Sequence, residues 1–307
     1  MNKIRVFSPA TIANISCGFD VLGLCLDTIG DEMIVQKTTE KGIKISSIIG
    51  QDLPLETNKN VAGVAALSLL KNIDLDVGFD IQIIKNIKPG SGIGSSAASA
   101  AGVVFAMNEI LGKPFSKTQL VGFAMEGEKL ASGTAHADNV APALFGNFTL
   151  IKSCSPLEVI SIKSPKELFA TIIHPQIEVK TSDARSVLKS NVSMKKATIQ
   201  LGNFGGLISG LYTEDYALIG RSLHDEIVEP LRAILIPGFA QVKLAAIKAG
   251  ALGSGISGSG PSIFALSKGE ETAKKVGVAM AEVYKNIGID FDIHVSKVNQ
   301  EGVKIIN

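Results

Sequence analysis

The sequence predicts a two-domain protein that mixes helices with strands, in an α/β or α+β fold. Its 307 residues exceed the size of a usual single core, so two domains of roughly 150 residues each are expected. Hydrophobic residues make up 46%, which is typical of a globular chain and not of a disordered one. With 31 glycines and only 5% aromatic residues, packing through small side chains is expected.

Charge and cysteine content exclude several classes of function. Thirty basic residues against 29 acidic ones create no field for nucleic acid or an anionic membrane, so neither partner is expected. Cys17, Cys25 and Cys154 are too few and too scattered for a disulfide framework or a paired-cysteine metal site. Because no signal peptide and no apolar run of about 18 residues is found, a cytoplasmic protein is predicted.

The chain is predicted to open with a short strand at residues 4–7, where side chains alternate. Pro9 should end that strand, because proline has no N–H to donate to a sheet ladder. The next segment carries Asn14 and Asp20 among small and apolar residues. Asn and Asp often bond their own backbone in turns, and the alternative is that this pair faces a substrate.

Strands and a helix are expected before the first glycine-rich stretch. Residues 33–37 and 43–49 are predicted to form a hairpin that closes through residues 40–42. Apolar positions in residues 58–70 indicate a mostly buried helix, and residues 79–84 alternate as a strand does.

The stretch at residues 88–99, K-P-G-S-G-I-G-S-S-A-A-S, carries the functional prediction. Gly90, Gly92 and Gly94 let the backbone adopt positive φ and leave its N–H groups uncovered. Helical spacing from Ala97 onward places a helix N-terminus directly after this loop, and such an end favours phosphate. The alternative is a flexible turn with a serine N-cap.

Two comparisons narrow the type of loop. The sequence contains no G-x-x-x-x-G-K-[ST], and its glycine spacing does not fit the dinucleotide fingerprint. A third kind of phosphate-binding loop is therefore predicted. Ser95 and Ser96 stand where a hydroxyl can cap the helix, bond a phosphate oxygen or reach a metal ion.

A second helix is predicted at residues 116–131, and it carries Glu126 and Glu128. Glu126 is expected on the surface, as most helical glutamates are. Glu128 differs because a tight turn of small residues follows it at once, and that turn is dense in polar side chains. They are His136, Asp138 and Asn139. Such a cluster lines a site or satisfies a buried turn, and the first is preferred.

Strands at residues 146–151, 159–162 and 169–173 follow, and the first of them is expected to close the N-terminal domain. The predicted domains are residues 1–155 and 156–307. The second domain is predicted to hold further helices and two strands. The helices are residues 193–211, 213–223, 239–249 and 270–284, and the strands are residues 263–266 and 291–295.

Two arginines and a second glycine-serine stretch stand out in this domain. Arg185 lies in a helical turn opened by Thr181, and Arg232 lies in a kinked E-P-L-R segment, where the residues alone favour a surface position. Residues 250–262 could form a linker. Because a strand follows at once, we predict a rigid loop packed near the first glycine-rich loop.

Three separated stretches together resemble the GHMP small-molecule kinases. S-P-A-T-I-A-N-I-S-C-G-F-D-V-L-G is similar to their first motif, P-G-S-G-I-G-S-S-A-A-S to the second and S-G-S-G-P-S to the third. H-A-D-N-V-A-P-A and E-P-L-R resemble one branch, whose acceptor is an amino acid with a side-chain hydroxyl. The resemblance covers essentially the whole chain. It implies an α+β, two-domain fold, with an N-terminal domain like domain 2 of ribosomal protein S5 and a ferredoxin-like C-terminal domain.

The resemblance also implies ATP and Mg²⁺ as ligands and assigns residues to each. ATP is expected on Pro89, Gly90, Ser91, Gly92, Ile93, Gly94, Ser95, Ser96, Ala97, Ala98 and Ser99. Ser96 and Glu128 are expected to ligate Mg²⁺, a hard ion that prefers oxygen. A homodimer is implied as well, although no stretch of the sequence points to an interface.

The acceptor site implied by the resemblance suits a zwitterion. Its expected residues are Asn14, Asp20, His136, Asn139, Thr181, Arg185 and Arg232. The two arginines would hold a carboxylate, and Asp20 would pair with an ammonium group. Lys88 is expected to neutralise phosphate charge and Asn139 to orient the hydroxyl, with Asp138 as a weaker candidate base. A mevalonate-type or sugar kinase and a catalytically inactive nucleotide-binding module are the alternatives.

Overall fold

The computed structural model describes residues 2–306, which form a seven-stranded sheet and a four-stranded sheet. The strands are β1 (Lys3–Ala13), β2 (Leu22–Thr38), β3 (Gly42–Ile49), β4 (Gly78–Ile84), β5 (Phe148–Cys154), β6 (Leu157–Ile162), β7 (Leu168–Pro175), β8 (Gly253–Ile256), β9 (Ile263–Lys268), β10 (Phe291–Lys297) and β11 (Lys304–Ile306). The helices are α1 (Val61–Leu70), α2 (Ser95–Ile110), α3 (Lys117–Ser132), α4 (Val140–Phe145), α5 (Thr181–Ser186), α6 (Met194–Thr213), α7 (Tyr216–Ser222), α8 (Glu229–Arg232), α9 (Phe239–Lys248) and α10 (Glu270–Ile287).

The larger sheet has the order β11-β1-β2-β4-β3, with β5 on β2 and β6 on β5. The predicted hairpin of residues 33–37 with 43–49 is wrong. β4 lies between these strands, antiparallel to β2 and parallel to β3. Parallel neighbours need a crossover, and α1 supplies it between β3 and β4. Helices α1 to α4 cover one face, where Val104, Leu120 and Phe79 belong to one buried core.

The first strand does not end at Pro9, contrary to prediction. β1 and β2 keep pairing past it, and the register shifts between Pro9 and Thr11. A bulge is where a sheet tolerates proline, because the ladder is interrupted there already. The strand therefore runs to Ala13 and delivers a tight turn, residues 14–21, to the middle of the molecule.

The smaller sheet is antiparallel, in the order β10-β7-β9-β8. Helices α9 and α10 pack on one face, where Val242, Met280 and Tyr284 are fully buried. In chain order its four strands are β7, β8, β9 and β10, so the order in space is fourth, first, third, second. The ferredoxin-like arrangement that the resemblance implied has this order, with helices between the first and second and between the third and fourth strands.

The two sheets share a core. Ile12 and Leu24 of the first sheet belong to the same buried cluster as Phe264 and Leu266 of the second. The predicted boundary after residue 155 falls in the turn between β5 and β6, yet both strands belong to the larger sheet. β11 also joins that sheet, beside β1. This pairing favours a boundary after β6, with β11 returning to the first domain.

The remaining helices and strands form close to their predicted positions. Ser116 caps α3 in a reciprocal capping box with Gln119. By contrast, α2 begins after Gly94 without a side-chain cap, so neither serine serves that purpose. Over the described residues, no single helix is long and apolar enough to cross a membrane; one pair bent by 113°, Glu229–Leu235 with Phe239–Lys248, passes by length and composition only.

Candidate active site

A cavity of about 380 Å³ opens between the two domains, against the N-terminus of α2. The first domain contributes the turn after β1, the loop before α2 and the end of α3. The second domain contributes α5, α8 and the turn after β8. Its lining includes most of the residues that the sequence analysis assigned to ATP, metal and acceptor, although they come from positions as distant as 14 and 259.

The loop before α2 is the predicted phosphate-binding loop, and its backbone has the expected conformation. Gly90, Gly92 and Gly94 have φ values of 74°, 79° and 70°. Ser262 Oγ donates to the carbonyl of Ser91 at 2.6 Å and Ser257 Oγ to that of Gly92 at 2.7 Å. These bonds confirm that residues 250–262 pack on this loop, although β8 forms within them, which was not predicted. Because the carbonyls are engaged behind the loop, N–H groups remain for an anion.

Not every residue of the loop reaches the cavity. Pro89, Gly90, Gly92, Gly94, Ser95, Ser96 and Ser99 line it. Ser91, Ile93, Ala97 and Ala98 are buried and lie outside the lining. Ser95 Oγ donates to the carbonyl of Ile87 at 2.9 Å, which anchors the start of α2 to the end of the preceding loop.

Gly94 has a steric requirement beyond its positive φ. A Cβ at this position would lie 2.1 Å from Thr11 Oγ1 and 3.1 Å from Asn139 Oδ1. Thr11 Oγ1 donates to Asn139 Oδ1 at 2.7 Å, so the amide nitrogen of Asn139 remains to meet a substrate oxygen. Thr11 was not singled out in the sequence, and its place inside a strand that was expected to end at Pro9 explains why.

Glu128 lies beside Ser96 at the N-terminus of α2, and its side chain is buried. Burial raises the pKa of Glu128 to about 7, while a hydrogen bond with Ser96 and the charge of Lys85 oppose the shift. A hydroxyl and a carboxylate are the hard oxygen donors that suit Mg²⁺ when phosphates complete its shell. In the part of the chain that the structure describes, no group of three or more His, Cys, Asp or Glu is placed to hold a metal ion by itself.

Asp138 is a second buried carboxyl in the cavity. Burial raises its pKa to about 7, and the charges of Asp20 and Glu128 act in the same direction. A carboxyl with such a pKa exchanges protons at neutral pH. This property keeps Asp138 available as a proton acceptor.

An acidic and a basic side chain face each other at one end of the cavity. Arg185 donates to the Asp20 carboxylate at 2.9 and 3.1 Å. His136 Nε2 lies 2.7 Å from the same guanidinium, and its Nδ1 lies 3.9 Å from Asp20. Because arginine only donates, the neutral imidazole accepts at Nε2 and carries its proton on Nδ1. Burial lowers the pKa of His136, as do Arg185 and Arg232, against the opposing charge of Asp20.

Arg232 is buried, with 3% exposure, which corrects the surface position that the residues alone favoured. It donates to the carbonyls of Ala184 at 2.8 Å and Gly258 at 3.1 Å. Phe19 lies beneath both arginines, 5.1 Å from Arg232 and 5.7 Å from Arg185. Sequence reasoning passed over Phe19, although it adjoins Asp20 in the first motif.

Asn14 and Thr181 line the same end of the cavity. Asn14 Oδ1 accepts from the backbone N–H of Asp20 at 3.0 Å, and its Nδ2 donates to Gly258 at 2.8 Å. Asn14 therefore positions Asp20. The pair forms a turn and also faces the cavity, so both interpretations offered by the sequence describe part of its structure. Thr181 Oγ1 lies 3.5 Å from Ser259 Oγ, at the junction between α5 and the third motif.

The structure does not support the predicted role of Lys88. Its Nζ donates to Gln176 Oε1 at 2.6 Å, and the side chain is exposed and outside the cavity lining. Lys85 lines the cavity instead, pairs with Asp31 and donates to the carbonyl of Ser95 at 2.6 Å. Burial lowers the pKa of Lys85 and raises that of Asp31, and each partner opposes the other's shift. The signal for Lys85 was a lysine directly after a buried strand.

A further part of the lining escaped the sequence analysis altogether. Leu53, Pro54 and Val61 bring apolar surface to the cavity, with Lys59 and Asn60 beside them. They lie before and at the start of α1, where Asn60 caps the helix by accepting from Ala62. The residues have no pattern that separates them from an ordinary loop and N-cap.

Comparisons with known proteins identify the family to which the chain belongs. The family model described as "GHMP kinases N terminal domain" matches residues 60–147, and "GHMP kinases C terminal" matches residues 198–286. The chain therefore belongs to the GHMP kinases, which are ATP-dependent small-molecule kinases, and the α+β fold class predicted from the sequence is confirmed.

Individual relatives narrow this to one family. A homoserine kinase of Chlorobium phaeobacteroides is 48% identical over 100% of both chains. The crystal structure of homoserine kinase from Cytophaga hutchinsonii is 50% identical, with a TM-score of 0.96 over 100% of this chain and 98% of that one. The mevalonate kinase of Methanococcus jannaschii, at 17% identity and a TM-score of 0.68 over 99% and 98%, shares the fold alone. Within the GHMP kinases, the chain belongs to the homoserine kinases.

Proposed function

We propose that this protein transfers the γ-phosphoryl group of ATP to the side-chain hydroxyl of L-homoserine. The products are O-phospho-L-homoserine and ADP, and the reaction serves threonine biosynthesis. One observation carries the substrate assignment: Asp20 and Arg185 present opposite charges 2.9 Å apart at one end of a cavity whose other part is a glycine-rich loop. A zwitterionic amino acid with a phosphate acceptor on its side chain matches both ends.

The glycine-rich loop would hold the triphosphate. Backbone N–H groups around Gly92 and Gly94 and the N-terminus of α2 supply partial positive charge without a bulky side chain. Ser96 and Glu128 would hold Mg²⁺, which neutralises phosphate charge as the transition state forms. Lys85 lies behind the loop and stabilises its conformation through the Ser95 carbonyl.

The acceptor would be held at both of its charged groups. Asp20 would take the ammonium group, and Arg185 with Arg232 would take the carboxylate through forked donors. Asn139 would then donate from its amide to the acceptor hydroxyl, because Thr11 occupies its oxygen. With the hydroxyl and the γ-phosphoryl group held in line, the transfer proceeds as if within one molecule.

A strong general base is not required for this transfer. The phosphoryl transition state is loose, so the acceptor oxygen has formed little of its new bond and still keeps most of its proton when that state is reached. Asp138 would receive that proton if a side chain does so, because burial holds its pKa near the pH of the reaction.

A coupled assay for ADP tests the proposal. The purified protein is offered ATP, Mg²⁺ and one acceptor at a time from L-homoserine, L-serine, L-threonine, mevalonate and galactose. We expect L-homoserine to give the highest kcat/KM. Faster transfer to mevalonate or galactose would point to another kinase of the same fold, and no transfer to any acceptor would point to a nucleotide-binding module. A cytoplasmic location and a homodimer stay predictions from the sequence.

A further inference from the structure

A second, much smaller cavity lies behind the charged end of the active site. Its volume is about 10 Å³, and its lining includes Asn14 and Ser16 on one side and Glu229 and Arg232 on the other. A space of this size is close to what one water molecule requires. Asn14 and Arg232 also line the active site, so the two cavities are separated by residues that hold the acceptor.

Two buried oxygens at this cavity lack a hydrogen-bond partner among residues 2–306. They are Ser16 Oγ and Glu229 Oε2. Ser16 is 4% exposed, and the other carboxylate oxygen of Glu229 pairs with Lys243. Buried polar atoms in native proteins are nearly always bonded to protein or to ordered water. A pair of unpartnered oxygens beside one small cavity therefore indicates a missing donor.

Gly255 shows how closely the two oxygens approach. A Cβ built on this residue would lie 2.7 Å from Ser16 Oγ and 3.0 Å from Glu229 Oε2. The two oxygens are therefore close enough together for one small molecule to bond both, and a side chain at Gly255 would crowd them. Gly255 lies inside β8 and its φ is not positive, so the backbone does not itself require glycine.

We propose that one ordered water molecule occupies this cavity, where it bridges Ser16 Oγ and Glu229 Oε2 and fixes both sides of the amino-acid site. A water suits the site better than a cation, because Glu229 is already paired with the ammonium group of Lys243. The water can donate to the carboxylate oxygen and accept from, or donate to, the hydroxyl.

One side that the water would fix is the turn after β1. Asn14, Ile15 and Ser16 have φ values of 73°, 42° and 59°, a left-handed conformation that non-glycine residues rarely adopt. Such a turn persists only when its surroundings hold it. The bridge would hold Ser16, the last of these three residues, and Asn14, the first of them, accepts from the backbone N–H of Asp20.

The other side is α8. Glu229 begins this short helix and Arg232 ends it, so a fixed Glu229 orients the guanidinium that points to the active site. Ser16, Glu229 and Gly255 are therefore positioning residues. They would act on the binding of the amino acid through Asp20 and Arg232, and not on the ATP loop.

Two measurements test this inference, which rests on the proposed function only in its second part. The first is a crystal structure of the wild-type protein at a resolution that shows ordered water. We expect one density peak within hydrogen-bond distance of both oxygens. An empty cavity, or a peak whose short contacts and weight require a metal cation, would overturn the proposal.

The second measurement is kinetic and uses Gly255→Ala, whose methyl group would press on both oxygens and disrupt the bridge between them. We expect its KM for homoserine to rise about three- to tenfold, the effect of losing one hydrogen-bonded bridge. Its kcat and its KM for ATP should stay within about twofold of wild type, because neither the loop nor the metal ligands change. Ser16→Ala removes one end of the bridge and should act in the same direction.

Gly277→Ala is the matched control. Its Cβ would also meet a neighbour closely, at 3.3 Å from Ile293, but on α10 far from the cavity. An unchanged KM for homoserine in Gly255→Ala and in Ser16→Ala, with both variants folded by thermal melting, would overturn the positioning role even where the water is seen. Failure of the proposed function is distinct, since wild-type protein would then not phosphorylate homoserine at all, whatever the crystal shows.

Discussion

Arg185 binds the carboxylate of Asp20 with one terminal nitrogen, at 2.9 and 3.1 Å, although 165 positions separate the two residues in the chain. The charges that an amino acid needs are thus already neutralised by each other before it arrives. A ligand with both an ammonium and a carboxylate group replaces this ion pair by two new ones. A ligand with a single charge leaves one protein charge without a partner in a partly buried site.

We therefore expect the enzyme to require both charges of its acceptor. 4-Hydroxybutyrate lacks the ammonium group and 3-aminopropan-1-ol lacks the carboxylate, yet both keep the hydroxyl. Each should have a kcat/KM at least about thirtyfold below that of homoserine, the effect of leaving one partner of a close charge pair unmatched. Steady-state kinetics with the three acceptors measures it. Comparable rates with either analogue would contradict the role assigned to the ion pair.

Asp20→Asn should weaken amino-acid binding selectively. The change removes the negative charge that would meet the ammonium group, so KM for homoserine should rise about thirtyfold while KM for ATP stays near wild type. Asp27→Asn is the control, since Asp27 is 41% exposed and pairs with Lys304 at the surface. A variant at position 20 with wild-type KM would show that another group binds the ammonium.

Glu128→Gln should lower kcat by at least about a hundredfold and raise the Mg²⁺ concentration needed for half-maximal rate. The amide is a poorer ligand than the carboxylate, and metal neutralisation of phosphate charge is a large part of catalysis. Glu126→Gln, two residues earlier on the exposed face of the same helix, should retain wild-type kinetics. A magnesium titration of both variants gives the answer, and equal titration curves would exclude Glu128 as a ligand.

The binding of homoserine should weaken as the pH falls through the range of His136. Burial lowers the pKa of this imidazole below its ordinary value of 6.5. The unfolded chain therefore takes up the proton first, and stability from this group is complete above about pH 6.5 and declines below it. Protonation also removes the acceptor that faces Arg185.

The measurement is KM for homoserine and the thermal midpoint between pH 5 and 8. We expect the midpoint to fall below about pH 6.5, where the unfolded chain takes up the proton, and KM to rise at lower pH, where the folded imidazole does so. In His136→Gln the amide oxygen can still accept from Arg185 but does not titrate, so this part of the pH dependence should disappear. A variant with the same profile as wild type would assign the titration to another group.

Lys85 and Lys88 should differ in their effect on stability. Lys85→Met leaves the carboxylate of Asp31 buried without its cation, a change that costs about 3–5 kcal/mol of unfolding free energy. Lys88→Met removes an exposed side chain and should change stability by no more than about 0.5 kcal/mol. Denaturant unfolding measures both. A large loss of kcat in a stable Lys88→Met would restore the catalytic role that the sequence suggested.

Much of the local structure could be predicted because its signals are local. Positive φ at Gly90, Gly92 and Gly94, the helix that follows them and the capping box at Ser116 depend on neighbours within a few positions. The grouping of the candidate residues into one acceptor site came from resemblance to a family, since no local pattern relates Asn14 to Arg232. The structure brings them together in one cavity.

The wrong predictions share a cause, which is that they concern contacts between distant segments. Pro9 stays in a strand because β2 accommodates a bulge opposite it. β4 follows β3 in the chain, yet in the sheet it lies between β2 and β3. Arg232 is buried because α5 and the third motif supply carbonyls that no local pattern reveals. Lys85 directly follows a buried strand while Lys88 begins the glycine-rich stretch, and the fold shows that Lys85, not Lys88, faces inward.

The pairing of β11 with β1 has a consequence for biosynthesis. Residues 304–306 hydrogen-bond to residues 5–7, so the sheet that starts the protein is finished by a segment made almost three hundred residues later. During translation, the edge of β1 stays open until residues 304–306 have been made. An exposed strand edge is a template for pairing with other chains. The nascent chain therefore exposes this edge to other chains until β11 pairs with it.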